Sequence, residues 1–153
     1  MILSYFDSSI VLAILMEESK KVEAYEYWKK SQLRVSSILL RIETIISLRR
    51  TYEHNKSILD ENWLLEKAKI LDEYLNEVNY RVVSKTIERE IYLRKELSKC
   101  RSLDAIHIAT ALKFREINDE DDIYLYSFDK TMNDLARHYK FKTNNIESSS
   151  IIR

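Results

Sequence analysis

Four carboxylates stand apart from the other acidic residues of this chain by where they fall. Asp7 directly follows a short apolar run, residues 2–6 (Ile-Leu-Ser-Tyr-Phe), that reads as a buried strand. Asp129 lies two positions past a second such run, Ile123 to Ser127. Asp104 falls in the first turn of a strongly apolar helical segment, Leu103-Asp104-Ala105-Ile106-His107-Ile108-Ala109-Thr110-Ala111-Leu112. Glu43 is flanked by Ile42, Ile45 and Ile46, a setting in which a carboxylate either pairs with a base or points into a pocket. Each has a plain structural explanation as well. An Asp in a first turn suits the helix dipole, and an Asp after a strand suits a helix cap. Two of the four, however, sit at strand ends, where parallel α/β sheets bind their ligands. Carboxylates gathered there repel one another, and without a cation some would hold protons at neutral pH. A divalent ion removes that conflict, and an oxygen-only donor set suits Mg²⁺ or Mn²⁺ rather than zinc.

The elements that must position these groups follow from hydrophobic periodicity. After the strand at 2–6, Ser8 or Ser9 can cap a helix carrying Ile10, Val11, Ile14 and Leu15. A helix at about 22–31 spaces Val22, Tyr25 and Trp28 or Lys29, and Leu33 to Ser36 reads as a short strand. Residues 37–54 form a long helix with Ile38, Ile42, Ile45, Ile46 and Leu48 apolar. Asp60 to Val78 keeps the helical period through Trp63, Leu64, Ala68, Leu71 and Leu75. Tyr80 to Ser84 reads as a strand, Thr86 to Leu97 as a helix, and Ser102 as the cap of a helix over about 103–117. Ile123 to Ser127 is a strand, 129–139 a helix, and Phe141 to Thr143 a possible last edge strand. Short strands alternating with helices predict an α/β fold, a mainly parallel central sheet flanked by helices. The chain reads as one domain over residues 1–153, with 143–153 as a mobile tail.

Composition narrows the function classes. The 153 residues contain no glycine and no proline, where average usage gives about 11 and about 8. Walker loops and Gly-rich dinucleotide fingerprints use glycine where backbone approaches phosphate, so P-loop NTPases and Rossmann oxidoreductases are excluded. Tight hairpins also favour glycine, which disfavours an all-β fold. Lys plus Arg and Asp plus Glu both number 25, so nucleic acid binding needs a local basic patch or a metal-neutralised site. No apolar stretch is long enough to span a membrane, and the N-terminus does not read as a signal peptide. The single cysteine, Cys100, fits a reducing compartment, so a cytoplasmic protein is expected.

Four segments resemble the acidic motifs of the PIN-domain family, and within it the VapC-type toxins. Tyr5-Phe6-Asp7-Ser8-Ser9 is similar to the opening of PIN domains. Ser36-Ser37 followed by Ile42-Glu43 resembles the second motif. Ser102 to Ala111 closely resembles the third, and Tyr126-Ser127-Phe128-Asp129 the fourth. Order and spacing agree over essentially the whole chain. One departure is the glycine often found after the helix that follows the fourth motif, where this chain reads His138-Tyr139-Lys140, with strain implied at a helix C-cap.

The resemblance implies a three-layer sandwich and a divalent-metal-dependent endoribonuclease that hydrolyses phosphodiester bonds in structured RNA such as tRNA or rRNA. Asp7 and Asp104 would bind the principal Mg²⁺ or Mn²⁺. Glu43 would sit between metal and water, with Asp129 as an outer or second-site ligand. Ser9 and Ser127 would orient carboxylates or merely cap helices. A toxin of this kind implies a VapB-like antitoxin whose C-terminal segment covers the pocket, and a homodimer. A PIN nuclease of RNA maturation, or a non-catalytic binding module, are the alternatives. His107, three positions after Asp104, can face the site, although a satisfied semi-buried histidine is the simpler reading. Arg49, Arg50, Lys99 and Arg101 could meet RNA phosphates or only line solvated helix faces. Cys100 and His107 make no defensible nucleophile–base pair, and Asp119 to Asp122 read as a solvated loop.

Overall fold

A computed structural model describes residues 2–118 and 123–144. Strands β1 (Leu3–Phe6), β2 (Leu33–Ser37), β3 (Asn79–Arg81) and β4 (Ile123–Tyr126) form one sheet in the order β3-β2-β1-β4. Every neighbouring pair is parallel. An isolated parallel bridge between Tyr124 and Lys142 extends the sheet beyond β4. Parallel strands need crossover connections, and those connections bring helices onto both faces. One face carries α1 (Ser8–Leu15), α2 (Lys21–Lys30), α3 (Leu39–His54) and α4 (Glu61–Leu75). The other carries α5 (Lys85–Leu93), a 3₁₀ turn (Lys95–Lys99), α6 (Ser102–Asn118) and α7 (Lys130–His138). The molecule is thus a three-layer α/β sandwich, the architecture predicted from the sequence.

The central strands β1 and β4 are buried on both faces, β3 at the edge is not, and the alternation along β1 divides the core. Leu3 and Tyr5 of β1 face α6 with Val35, Ile108, Ile123 and Leu125. Phe6 turns to the opposite layer, against Trp28 with ring centroids 4.8 Å apart and stacked on Tyr126 at 5.3 Å. Ser4 and Ser36 are the polar members of that second face. Ser4 Oγ accepts a bond from Ser31 Oγ at 2.7 Å, and Ser36 Oγ donates to the Phe6 carbonyl at 2.6 Å. Both buried hydroxyls are therefore satisfied, which removes the main cost of placing them there.

Several boundaries and faces differ from expectation. The cap of α1 is Asp7, whose extended backbone lets its carboxylate accept the Ser9 amide at 3.0 Å, and Ser8 and Ser9 are already helical. On α2 the buried pair is Ala24 and Trp28, four apart, while Val22 and Tyr25 are exposed because Trp28 fixes which stripe meets Phe6. On α3 the buried stripe is Leu40, Thr44 and Leu48, so Ile42 and Ile46 face outward. Thr44 is tolerated in that stripe because its hydroxyl donates to the Leu40 carbonyl at 2.7 Å. Asp60 lies outside α4 as its cap, accepting from the Trp63 amide. β3 ends at Arg81, leaving Val82 and Val83 exposed. The helix expected to reach Leu97 stops at Leu93, and the 3₁₀ turn after extended Arg94 drops Leu97 into the core. Of Phe141 to Thr143 only Lys142 joins the sheet. Thr143 and Asn144, assigned by sequence to a tail, are buried, while 145–153 and the loop at 119–122 lie outside the described residues.

Among the described residues, two helices end on residues with left-handed backbone that glycine would normally supply. Glu17 follows α1 with φ 52°, and Lys140 follows α7 with φ 70°. At Lys140 the amide bonds to the Arg137 carbonyl at 3.0 Å and the Phe141 amide to Ala136 at 2.9 Å, a helix-terminating pair of bonds. The strain anticipated after His138-Tyr139 is located at Lys140.

Candidate active site

The parallel register assembles the first part of the site. Phe6 pairs with Tyr126 at the ends of β1 and β4, so Asp7 and Ser127 leave the sheet side by side. Ser127 Oγ donates a short bond to Asp7 Oδ2, and Ser9 Oγ donates to Asp7 Oδ1 at 2.5 Å. The two hydroxyls carry the connection onward. Ser9 Oγ accepts the Phe128 amide at 2.9 Å, and Ser127 Oγ accepts the Asp129 amide at 3.0 Å. Asp129 caps α7, its Oδ1 accepting the Met132 amide at 2.8 Å. Two asparagines that the sequence reading passed over pin this turn. Asn133 Nδ2 donates to the Ser127 carbonyl at 2.8 Å and the Asp129 carbonyl at 3.1 Å, and Asn144 Oδ1 accepts the Ser127 amide at 3.1 Å. Asn133 stands four residues after Asp129, helical spacing that could have marked it; nothing local marks Asn144.

Glu43 and Asp104 arrive from helices that begin at the same edge. Together with Ser8, Ile42, Ile46, Arg50, Arg101 and Leu103 they line a groove of about 690 Å³. Asp104 also shares a smaller cleft of about 350 Å³ with Asp129, Lys99, Cys100, Arg101 and Thr131. Asp104 is thus the carboxylate common to both, beside Arg101. Its charge partner Arg101 is at 3.6 Å and is itself largely exposed. Arg50, Arg101 and Lys99 of the predicted basic set line these openings; Arg49 is exposed on α3 and is not among the lining residues.

Glu43 is held from the protein interior. His107, one turn after Asp104 and 1% exposed, places Nε2 2.7 Å from Glu43 Oε1 and Nδ1 2.6 Å from the Tyr5 hydroxyl. That hydroxyl accepts the Ser37 amide at 3.1 Å. His107 is therefore both buried and satisfied, and it touches the site through Glu43 rather than lining the groove itself. Tyr5 was not singled out by sequence, since an aromatic residue in a buried strand signals only core.

Electrostatics single out two of the carboxylates. Burial pushes the Asp7 carboxyl above its usual range, against the lowering effect of Ser127, Ser9 and His107. Asp104 is pushed up by burial and by the negative Asp129, with Arg101 and His107 acting the other way. Burial and the nearby Asp104 and Asp129 also raise the Cys100 thiol, which makes it a poor nucleophile at neutral pH. Carboxylates raised in this way want positive charge, and their oxygens are the donors that Mg²⁺ and Mn²⁺ prefer. The four do not close into a cage: among the described residues no three Asp, Glu, His or Cys side chains are grouped to hold a metal ion. The arrangement instead offers carboxylates in pairs, Glu43 with Asp104 in the groove and Asp104 with Asp129 in the cleft, with Asp7 buried at the strand end behind Ser9 and Ser127. That suits an ion such as magnesium, which keeps several waters and takes only one or two carboxylates directly.

Comparison with known families gives one match, a family model described as PIN domain, over residues 4–138. That span contains Asp7, Glu43, Asp104 and Asp129 and ends at the last residue of α7. No curated protein sequence matches the chain.

Proposed function

Because this chain belongs to the PIN-domain family, a nuclease-type fold, we propose that it is a divalent-metal-dependent endoribonuclease working through Asp7, Glu43, Asp104 and Asp129. The observation that carries the reading is the single acidic edge just described. Asp7 and Asp129 are joined there through one serine hydroxyl, and Asp104 and Glu43 line the groove alongside. Asp7 and Asp104 hold the principal Mg²⁺ or Mn²⁺, Asp129 acts from the outer side of Asp104, and Ser9 and Ser127 fix the Asp7 carboxylate. When bound, the ion supplies charge stabilisation on the phosphate and a water activated for in-line attack. Glu43, anchored at Oε1, takes the proton of the attacking water. Arg50 and Arg101 meet RNA phosphates on either side of the groove.

The resemblance to VapC-type toxins supports a narrower reading. The protein acts as the toxin of a toxin–antitoxin pair, cleaves structured RNA such as tRNA or rRNA, and works in the cytoplasm as a homodimer. A VapB-like antitoxin covers the acidic edge with a basic side chain. Among the described residues no helix is long and apolar enough to cross a membrane.

The test is cleavage of total cellular RNA by purified protein with Mg²⁺ or Mn²⁺, beside Asp7→Asn and Asp104→Asn. Discrete, metal-dependent fragments that vanish in both variants are expected. Folded, metal-supplied wild type that leaves native RNA intact would overturn the assignment. The toxin reading further expects growth arrest on expression, relieved by a short basic reading frame encoded immediately upstream.

A further inference from the structure

The buried chain from Ser37 through Tyr5 and His107 to Glu43 connects the ends of β1 and β2 to α6 and α3. It joins residues that are 102 positions apart at its Tyr5–His107 step and 64 apart at its His107–Glu43 step. Each link sits close in sequence to a carboxylate of the site: Tyr5 is two before Asp7, and His107 is three after Asp104. The donors can be worked out along the chain. An ionised Glu43 only accepts, so the hydrogen in the 2.7 Å bond belongs to His107 Nε2. The phenol oxygen already accepts the Ser37 amide, and the neighbouring Ser36 hydroxyl is turned to the Phe6 carbonyl at 2.6 Å. Burial among core side chains keeps the phenol protonated at neutral pH. The Ser36 hydroxyl also lies within hydrogen-bond reach of the phenol, but with Nε2 carrying the ring hydrogen Nδ1 can only accept, so the 2.6 Å bond between Tyr5 and His107 takes the phenol's proton.

We propose that Tyr5 and His107 are positioning residues for Glu43: the Tyr5 hydroxyl locks His107 as the Nε2–H tautomer, and that N–H fixes Glu43 Oε1 so that Oε2 is the oxygen left to the groove. This rests on the nuclease reading for its consequence but not for its geometry. A buried histidine that only filled space would need neither the phenol nor a particular tautomer. A carboxylate on the outward side of α3, with no such bond, would turn freely among rotamers and meet the attacking water only part of the time.

Two measurements on the full chain separate the relay from the activity it serves. Long-range ¹H–¹⁵N NMR on histidine-labelled protein reports the tautomer whether or not the protein cleaves RNA. Wild type is expected to show His107 as neutral Nε2–H, and Tyr5→Phe, which keeps the ring and the packing, to show a mixture. On RNA, Tyr5→Phe is expected to lower kcat about 10- to 100-fold, the usual effect of losing a group that orients a site carboxylate, with KM unchanged. His107→Gln, which keeps a donor and an acceptor, is expected to recover more activity than His107→Ala. An Nδ1–H or doubly protonated ring in the wild type overturns the relay, as does a Tyr5→Phe spectrum or kcat equal to wild type. A wild type that cleaves no RNA overturns the parent reading instead, and the histidine spectrum still judges the geometry.

Discussion

Asp7 serves two ends that conflict. As an N-cap it stabilises α1, and as a buried carboxylate with a raised pKa it works against the fold. The sign of the second effect follows from linkage. A carboxyl whose folded pKa lies above its unfolded value does no harm below the ordinary carboxylate range. It costs stability increasingly as pH rises through the folded value, and fully above it. Asp104 shares that direction. Stability of the metal-free protein is therefore expected to fall as pH rises above the ordinary carboxylate range, and a divalent ion is expected to restore it. At ten times its Kd an ion adds about 1.4 kcal/mol, or about 3–6 °C in Tm for a chain of this size. Asp7→Asn keeps a capping oxygen but removes the charge. It should melt no lower than wild type at pH 7.5 and gain less from Mn²⁺. Thermal melts at pH 5 and 7.5, with and without Mn²⁺, check all three points. A wild type whose Tm is flat with pH and indifferent to Mn²⁺ would refute them.

At the scale of elements, the absence of glycine has a local cost that the structure places at helix ends. Left-handed backbone costs a residue with a Cβ about 1–2 kcal/mol, and Lys140 and Glu17 both adopt it. Lys140 is the cleaner test, because Glu17 also pairs with Lys21 and Lys67. Lys140→Gly is expected to stabilise the protein by about 1 kcal/mol, read as a rise in the denaturation midpoint at unchanged m-value; an unchanged or lower midpoint would refute it. The elements themselves were legible because strands buried on both faces and helices with apolar stripes leave periodic marks. Which stripe faces inward was less legible. Ile42 and Ile46 look like core in sequence, yet Leu40, Thr44 and Leu48 take that place, and the isoleucines edge the groove beside Glu43. The carboxylates were found because strand ends and first turns are few. Tyr5 was not, because its partner His107 lies 102 residues away; Asn144 carries no local mark, while Asn133 was passed over although its partners are only four and six residues away.

For the molecule as a whole, a net charge of zero means that attraction to RNA must be local. The cations best placed are those at the two openings, Arg50 and Arg101 beside Glu43 and Asp104. Arg50→Ala and Arg101→Ala are each expected to raise KM for RNA with kcat little changed, and to flatten the salt dependence of binding by about one phosphate contact. Binding titrations at two or three salt concentrations measure this, and an unchanged slope in both variants would move the phosphate path elsewhere. All-parallel pairing also explains how a chain without glycine manages its turns. Parallel strands are joined by helical crossovers rather than tight hairpins, so the positions that most need glycine seldom arise.

The order β3-β2-β1-β4 has a further consequence, in time rather than in space. β1 is made first, yet one of its two neighbours is the last strand of the sheet. The bond that completes the Asp7 cradle, from Ser127, spans 120 residues. While the chain is being synthesised, Asp7 has no Ser127 and no Asp129 beside it, and β1 waits with one edge open. Local helices can form early, but long-range strand pairing comes only when its partner exists. A ribosome making this protein is therefore holding an unfinished site until β4 and the turn with Ser127 and Asp129 have emerged.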